Sequence, residues 1–195
     1  MIDSPVMTSA GRPRDPRVDE ALRRVVQEQL VAEGYAALTV QGVARAAGVS
    51  PATVYRRFPG KRELVEWAAF PVSDWVEPAW TGDYGTDLTM LVEVLLGWLV
   101  QPAVRAAVPG LLGEYVRDGS RYEALLAATI EPVRRSLAML VERAATVGEA
   151  AEGVSLTTLL DVLLGAVLLE AMVQDGRSMR PAARRIAEVI RRATT

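Results

Sequence analysis

The chain has 195 residues, half of them apolar and 24% charged, with a formal net charge of −2; this is enough to bury one large core or two small ones. Cysteine and histidine are both absent, which excludes a disulfide framework and a thiolate metal site and removes the commonest general base and transition-metal ligand. No carboxylate metal motif or phosphate-cradling glycine loop is present, so we expect a non-enzymatic protein without cofactor or metal.

Residues 1–14 lack helical periodicity and carry Pro5, Gly11 and Pro13, reading as a flexible basic arm. They show no apolar segment behind a basic start, so a secretion signal is not expected and the location is read as cytoplasmic. Within the arm, Arg12 and Arg14 flank Pro13; they either enter a narrow minor groove or belong to a solvated tail. Asp15 as N-cap and Pro16 in the first helical position open helix 1, whose stripe is Val18, Leu22, Val25, Val26 and Leu30 and whose end is Gly34. Thr39 caps a second helix with Val40, Val43, Ala44 and Ala47 on one face. Gly48 breaks it, and Ser50 with Pro51 opens a third. After Pro59-Gly60 a helix carries Leu64, Val65, Trp67, Ala68 and Phe70.

The turn-like stretch from Thr81 to Thr86 precedes an apolar helix from Asp87 to Val100, suited to the centre of a bundle. A broken stretch follows from Pro102 to Asp118, interrupted at Pro109-Gly110. Further helices are expected over Ser120–Val147 with a kink at Pro132, over Leu156–Gln174, and over Pro181–Ala193. Val154 to Val173 is strongly apolar, but Asp161 and Glu170 argue against a membrane span. No alternating strand pattern occurs. The fold class is all-α, with an arm (1–14), a three-helix helix-turn-helix domain (15–66) and a helical regulatory and dimerisation domain (67–195).

Charge is unevenly placed. Residues 1–66 hold ten Lys/Arg against eight Asp/Glu, while the remainder holds twelve against sixteen. The first 66 residues are thus the basic part of an acidic chain, compatible with an anionic partner there. A helix-turn-helix needs a small residue at the helix crossing, a glycine free to take positive φ and apolar positions holding the pair rigid; Ala44, Gly48, Val49 and Val54 supply them in order. With Ser50 as cap, the first turn of the third helix presents small side chains to a base edge, Thr53 and Tyr55 follow on its outer side, and Arg56 reaches for a phosphate. An ordinary helical hairpin is the alternative from spacing alone.

The stretch from Gly11 to about Trp67, with "TVQGVARAAGVSPATVYRRFPGKRELV" at its centre, closely resembles the DNA-binding domain of TetR-family transcriptional regulators. The turn glycine, the V-Y-R-x-F ending and the lysine after Pro-Gly stand together at the family spacing. The resemblance implies a homodimer that binds double-stranded DNA at a palindromic operator, with DNA contacts from Thr39, Gln41, Ser50, Pro51, Ala52, Thr53 and Tyr55, and phosphate contacts from Tyr55 and Lys61. Gln41 and Pro51 depart from the basic or long polar residues many relatives carry there. Gln41 suits an adenine edge and Thr53 a thymine methyl.

Beyond about residue 80 the resemblance covers architecture only, implying a helical domain that binds a small-molecule effector and dimerises. Trp67, Met90, Trp98, Tyr115, Tyr122 and Met139, with Trp75 and Trp80, are candidates for a pocket, and Glu93 lies within the apolar central helix, where a carboxylate must be paired with an arginine, reach solvent or meet a ligand. For the dimer interface the candidates are Leu137, Leu156, Leu160, Leu163, Leu164 and Val167, because the Leu156–Gln174 helix is apolar almost all round. Two readings follow: a repressor released from its operator by a small apolar or amphipathic ligand, or a dimeric DNA-binding protein controlled by a protein partner or by no effector. A sizeable pocket favours the first and a filled core the second.

Overall fold

A computed structural model of the chain describes residues 16–71, 75–120, 130–150, 155–173 and 179–195. Among the described residues the secondary structure is entirely helical: α1 (Pro16–Ala37), α2 (Val40–Ala46), α3 (Pro51–Tyr55), α4 (Lys61–Ala69), α5 (Tyr84–Leu99), α6 (Pro102–Arg117), α7 (Glu131–Thr146), α8 (Leu156–Val173) and α9 (Met179–Thr194).

Two apolar cores organise these helices. In the first, Leu22, Val25, Val26 and Leu30 of α1 meet Val43 and Ala44 of α2, Val54 of α3, and Leu64, Val65 and Ala68 of α4. No single one of these short helices buries enough surface to stand alone, so each depends on the others for stability. The expected apolar stripe on α1 is the face that packs. Gly34 takes φ 75°, inside the left-handed region, and separates the main helix from a last turn that carries Tyr35 into the same core.

The first core extends beyond α1–α4, because Val104, Ala107, Val108, Leu111 and Tyr115 of α6 complete it. This corrects the expectation of a broken stretch between Pro102 and Asp118. The helix runs through Pro109, which costs it a backbone donor, since packing of its apolar face on α1 outweighs the local preference. The approach of the two helices is close: a Cβ on Gly110 would lie 2.2 Å from Tyr35 Cδ1. The expected domain boundary at 66/67 falls inside α4, which continues to Ala69.

The second core is formed by α5, α7, α8 and α9. Central α5 begins three residues before the expected start, because Asp83 caps it by accepting from Thr86 N at 2.7 Å. Asp87 is buried, and its carboxylate accepts from Thr81 N and Thr81 Oγ1 at 2.7 Å and from Gly82 N at 3.0 Å. Those three bonds satisfy the buried charge and fix the incoming chain to α5. Pro132 stands in the first turn of α7, a position that tolerates it; the part of the expected helix over 121–129 lies outside the described residues. Helix α8 is long and apolar enough to cross a membrane by length and composition alone, yet one side of it packs in the second core, and Glu170 pairs with Arg185 of α9 at 3.3 Å.

Candidate nucleic-acid interface

The reading head is built from two capped helices and a glycine turn. Thr39 Oγ1 accepts from Gly42 N at 3.0 Å, which satisfies one of the orphan N–H groups at the start of α2. Gly42 makes room for that cap, since a Cβ there would lie 2.9 Å from the Thr39 hydroxyl. After α2, Gly48 takes φ 68°, the conformation that a side chain disfavours, and Val49 N returns to the Ala44 carbonyl at 2.9 Å. Ser50 then caps α3, with Oγ accepting from Thr53 N at 3.2 Å and lying 2.9 Å from Thr53 Oγ1. Val54, fully buried, locks α3 onto the core, which leaves Ser50, Pro51, Ala52, Tyr55 and Arg56 exposed and Thr53 half-exposed.

These positions form one surface. Gln41 of α2 donates through Nε2 to the Tyr55 hydroxyl at 3.1 Å, so the two helices present joined side chains. Lys61 stands at the first residue of α4, with Nζ 3.0 Å from the Ala36 carbonyl and 4.4 Å above the Tyr35 ring. Burial lowers its pKa. Arg57, beside the exposed Arg56, turns back to pair with Asp19 of α1 and serves the packing of α3 on α1. Arg12 and Arg14 lie outside the described residues.

Sequence reasoning missed how this head is tied to α6. Tyr35 donates its hydroxyl to Glu114 Oε1 at 2.6 Å, and Tyr115 donates to Glu66 Oε1 of α4 at 2.7 Å. Arg62 holds the same Glu66 at 3.1 Å. Burial, then the carboxylate neighbours, raise both phenols above the ordinary tyrosine range. The only signal in the sequence was a set of tyrosines and glutamates far apart along the chain; the pairing emerges when α6 folds back onto α1.

The residues proposed for a pocket do not share one cavity among the described residues. Trp67 belongs to the first core, 4.9 Å from the Phe58 ring and beneath the Arg23 guanidinium at 4.6 Å. Tyr115 is spent on Glu66, Met139 and Trp80 pack against the second core, and Met90 is half-buried on α5. Tyr122 lies outside the described residues. Glu93 reaches the surface, where Arg180 of α9 lies 3.8 Å away. Of the described candidates, Trp98 and Trp75 line one open groove of about 850 Å³ bounded by α1, the chain after α4 and the α5–α6 corner.

The interface candidates need a correction as well. Leu137, Leu160, Leu163 and Val167 are buried in the second core, with Leu156 and Leu164 partly buried against it. The apolar positions that α8 leaves open are Val162, Leu169 and Val173, at 45%, 67% and 70% exposure. With apolar residues on every side, sequence could not show which side α5 and α9 would cover.

Two family models match the chain: one described as bacterial regulatory proteins of the tetR family, over residues 27–68, and one described as the tetracyclin repressor-like C-terminal domain, over residues 78–193. The chain belongs to the TetR family of transcriptional regulators. It is therefore a helix-turn-helix DNA-binding regulator rather than an enzyme, and α2 and α3 are its helix-turn-helix. A relative fits the same picture: the uncharacterized HTH-type transcriptional regulator Rv1556 of Mycobacterium tuberculosis (strain ATCC 25618 / H37Rv) is 30% identical over 175 residues, covering 89% of this chain and 83% of its own. The crystal structure of the TetR family transcription regulator SCO0332 superposes with a TM-score of 0.65 at 25% identity, over 92% of this chain and 99% of that one. The Bacillus subtilis transcriptional regulator FadR, solved in complex with stearoyl-CoA, shares the fold at 12% identity and a TM-score of 0.65, over 91% of this chain and all of its own.

Proposed function

We propose that this TetR-family regulator is a cytoplasmic homodimeric repressor that holds a palindromic operator through paired α2–α3 heads and releases it when a small apolar ligand binds. The observation that carries ligand control is the pair of tyrosine–carboxylate bonds from α6, Tyr35 to Glu114 and Tyr115 to Glu66. They connect α6 to both α1 and α4, so a shift of α6 moves the reading head. The ligand must bind the released state more tightly than the DNA-bound state, and the coupling is reciprocal.

The groove beside α6 supports the ligand class. Val31, Trp75, Val76, Trp98, Pro102 and Ala103 give it an apolar wall, Gln27, Glu28 and Gln101 are its polar lining, and no lysine or arginine is among the described lining residues. An uncharged ligand suits such a wall, since Glu28 on its lining is already paired with Arg24 at 3.0 Å. Dimerisation is supported by the open face of α8, where Val162, Leu169 and Val173 require cover.

The test starts with selection of bound duplexes from a random pool by the purified protein. An inverted repeat is expected, with half-sites spaced by about one helical turn or a multiple. Fluorescence anisotropy on that duplex, titrated with neutral aromatic or aliphatic compounds, should then show release. Release by anionic acyl-CoA alone would refute the groove assignment. Binding that no small molecule disturbs, together with release by a protein partner, would support the alternative reading.

A further inference from the structure

The side chain of Lys61 is held by contacts that come from outside its own helix. Its Nζ donates to the Ala36 carbonyl at 3.0 Å, in the last turn of α1, where carbonyl groups lack a partner within the helix and a cation is favoured. The ammonium also stands 4.4 Å from the centre of the Tyr35 ring, within the range of a cation–π contact. An ammonium carries three N–H donors, so the bond to Ala36 leaves two of them for a further acceptor. Burial lowers the pKa of Lys61, and the Glu114 carboxylate opposes that shift.

The ring under the lysine is itself fixed. Tyr35 is buried, its hydroxyl donates to Glu114 Oε1 at 2.6 Å, and α6 closes on the ring at Gly110. A long side chain that is free in solution must give up its rotamer freedom to meet a phosphate, whereas one that is already seated gives up less. We infer that Tyr35 is a positioning residue for the phosphate contact of Lys61: its ring seats the ammonium before DNA arrives and leaves donors for the phosphate. The inference rests on the operator-binding role proposed above. It gives a buried tyrosine of α1, through the lysine above it, a share in the affinity for every DNA sequence.

The experiment compares Tyr35→Phe with variants that carry mono-, di- and trifluorinated phenylalanine at the same position, introduced by nonsense suppression into the full-length protein. Fluorine withdraws charge from the face of the ring and changes its shape little, so the attraction for a cation falls stepwise. Operator affinity is measured by fluorescence anisotropy at fixed salt, with Lys61 present and in the Lys61→Ala background. With Lys61 present, affinity should fall with each fluorine, about two- to fivefold across the series; in the Lys61→Ala background it should stay constant. A tyrosine that serves packing alone predicts no trend, or one trend shared by both backgrounds, and either result overturns the inference. Affinity that rises with fluorine overturns it as well, because the lysine would then have to leave the ring to reach the phosphate. If Lys61→Ala binds all DNA as tightly as wild type, the inference falls and the repressor reading stands. A protein that selects no sequence and binds no duplex overturns both.

Discussion

Gly110 is a point of tight packing of α6 on α1, and its substitution tests that contact. A Cβ at that position would lie 2.2, 2.4 and 2.7 Å from Cδ1, Cγ and Cβ of Tyr35. Carbon atoms rest at about 3.5 Å or more, so Gly110→Ala must push the two helices apart by roughly 1 Å or drive the Tyr35 ring from its place. That ring lies under Lys61 and bonds Glu114, so it has little freedom to yield. Overpacking of this kind costs ~1–3 kcal/mol, and each kcal/mol is worth about 2–4 °C of Tm for a chain of this size. Thermal denaturation of Gly110→Ala should accordingly show a Tm lower by roughly 2–12 °C. Tyr35→Ala removes the two nearest atoms, so the double variant should be more stable than the sum of the two single effects implies, with a coupling of ~1 kcal/mol or more. Wild-type stability for Gly110→Ala, or simple additivity with Tyr35→Ala, would refute the close α1–α6 contact.

Other outcomes follow from the same structure. Leu163, 1% exposed in its own subunit, should fail as an interface probe: Leu163→Glu buries an unpaired carboxylate and is expected to unfold the chain, visible as lost helical circular dichroism. Leu169→Glu, at a 67% exposed position on α8, should keep the helical signal and sediment as a monomer; an intact dimer would remove that face from the interface. Tyr55→Ala and Lys61→Ala should both weaken binding to all DNA sequences, and Lys61→Ala, which removes a charge, should also reduce the salt slope by about one; an unchanged slope for Lys61→Ala would place that lysine off the phosphate backbone. The raised phenols give a pH prediction. A group whose pKa is higher folded than unfolded contributes stability that is complete below its unfolded value, 10.0 for tyrosine, and that is lost as pH rises above it. Denaturant melts of wild type should therefore lose stability past about pH 10 more steeply than those of a Tyr35→Phe/Tyr115→Phe variant, and parallel curves would contradict the assignment.

The reading head was legible in the sequence because its determinants are local. Thr39 and Ser50 cap helices two or three residues away, Gly48 takes a positive φ within its own turn, and Pro51 occupies the first position of the helix it opens. The stripe on α1 was equally plain, as its polar face left only one side to bury. In the regulatory part, α5 and α8 are apolar on nearly every side, so their sequences said that they would be covered but not by what. Leu163 and Leu169 are the same residue type on one helix, and only the placement of α5 and α9 makes the first core and the second surface. For Glu93 the sequence left an arginine, solvent or a ligand open, and only the placement of α9 brings Arg180 beside it. Pro109 and Gly110 read as a break because local preference has no knowledge of α1; packing against that helix keeps α6 whole and makes the glycine a point of contact. Sequence by itself determined the DNA-reading unit and the helical class of the remainder. Tertiary structure decided how α6 is wired to the head, because the partners in each bond, Tyr35 with Glu114 and Glu66 with Tyr115, lie about 50 to 80 residues apart and meet only when the helices pack.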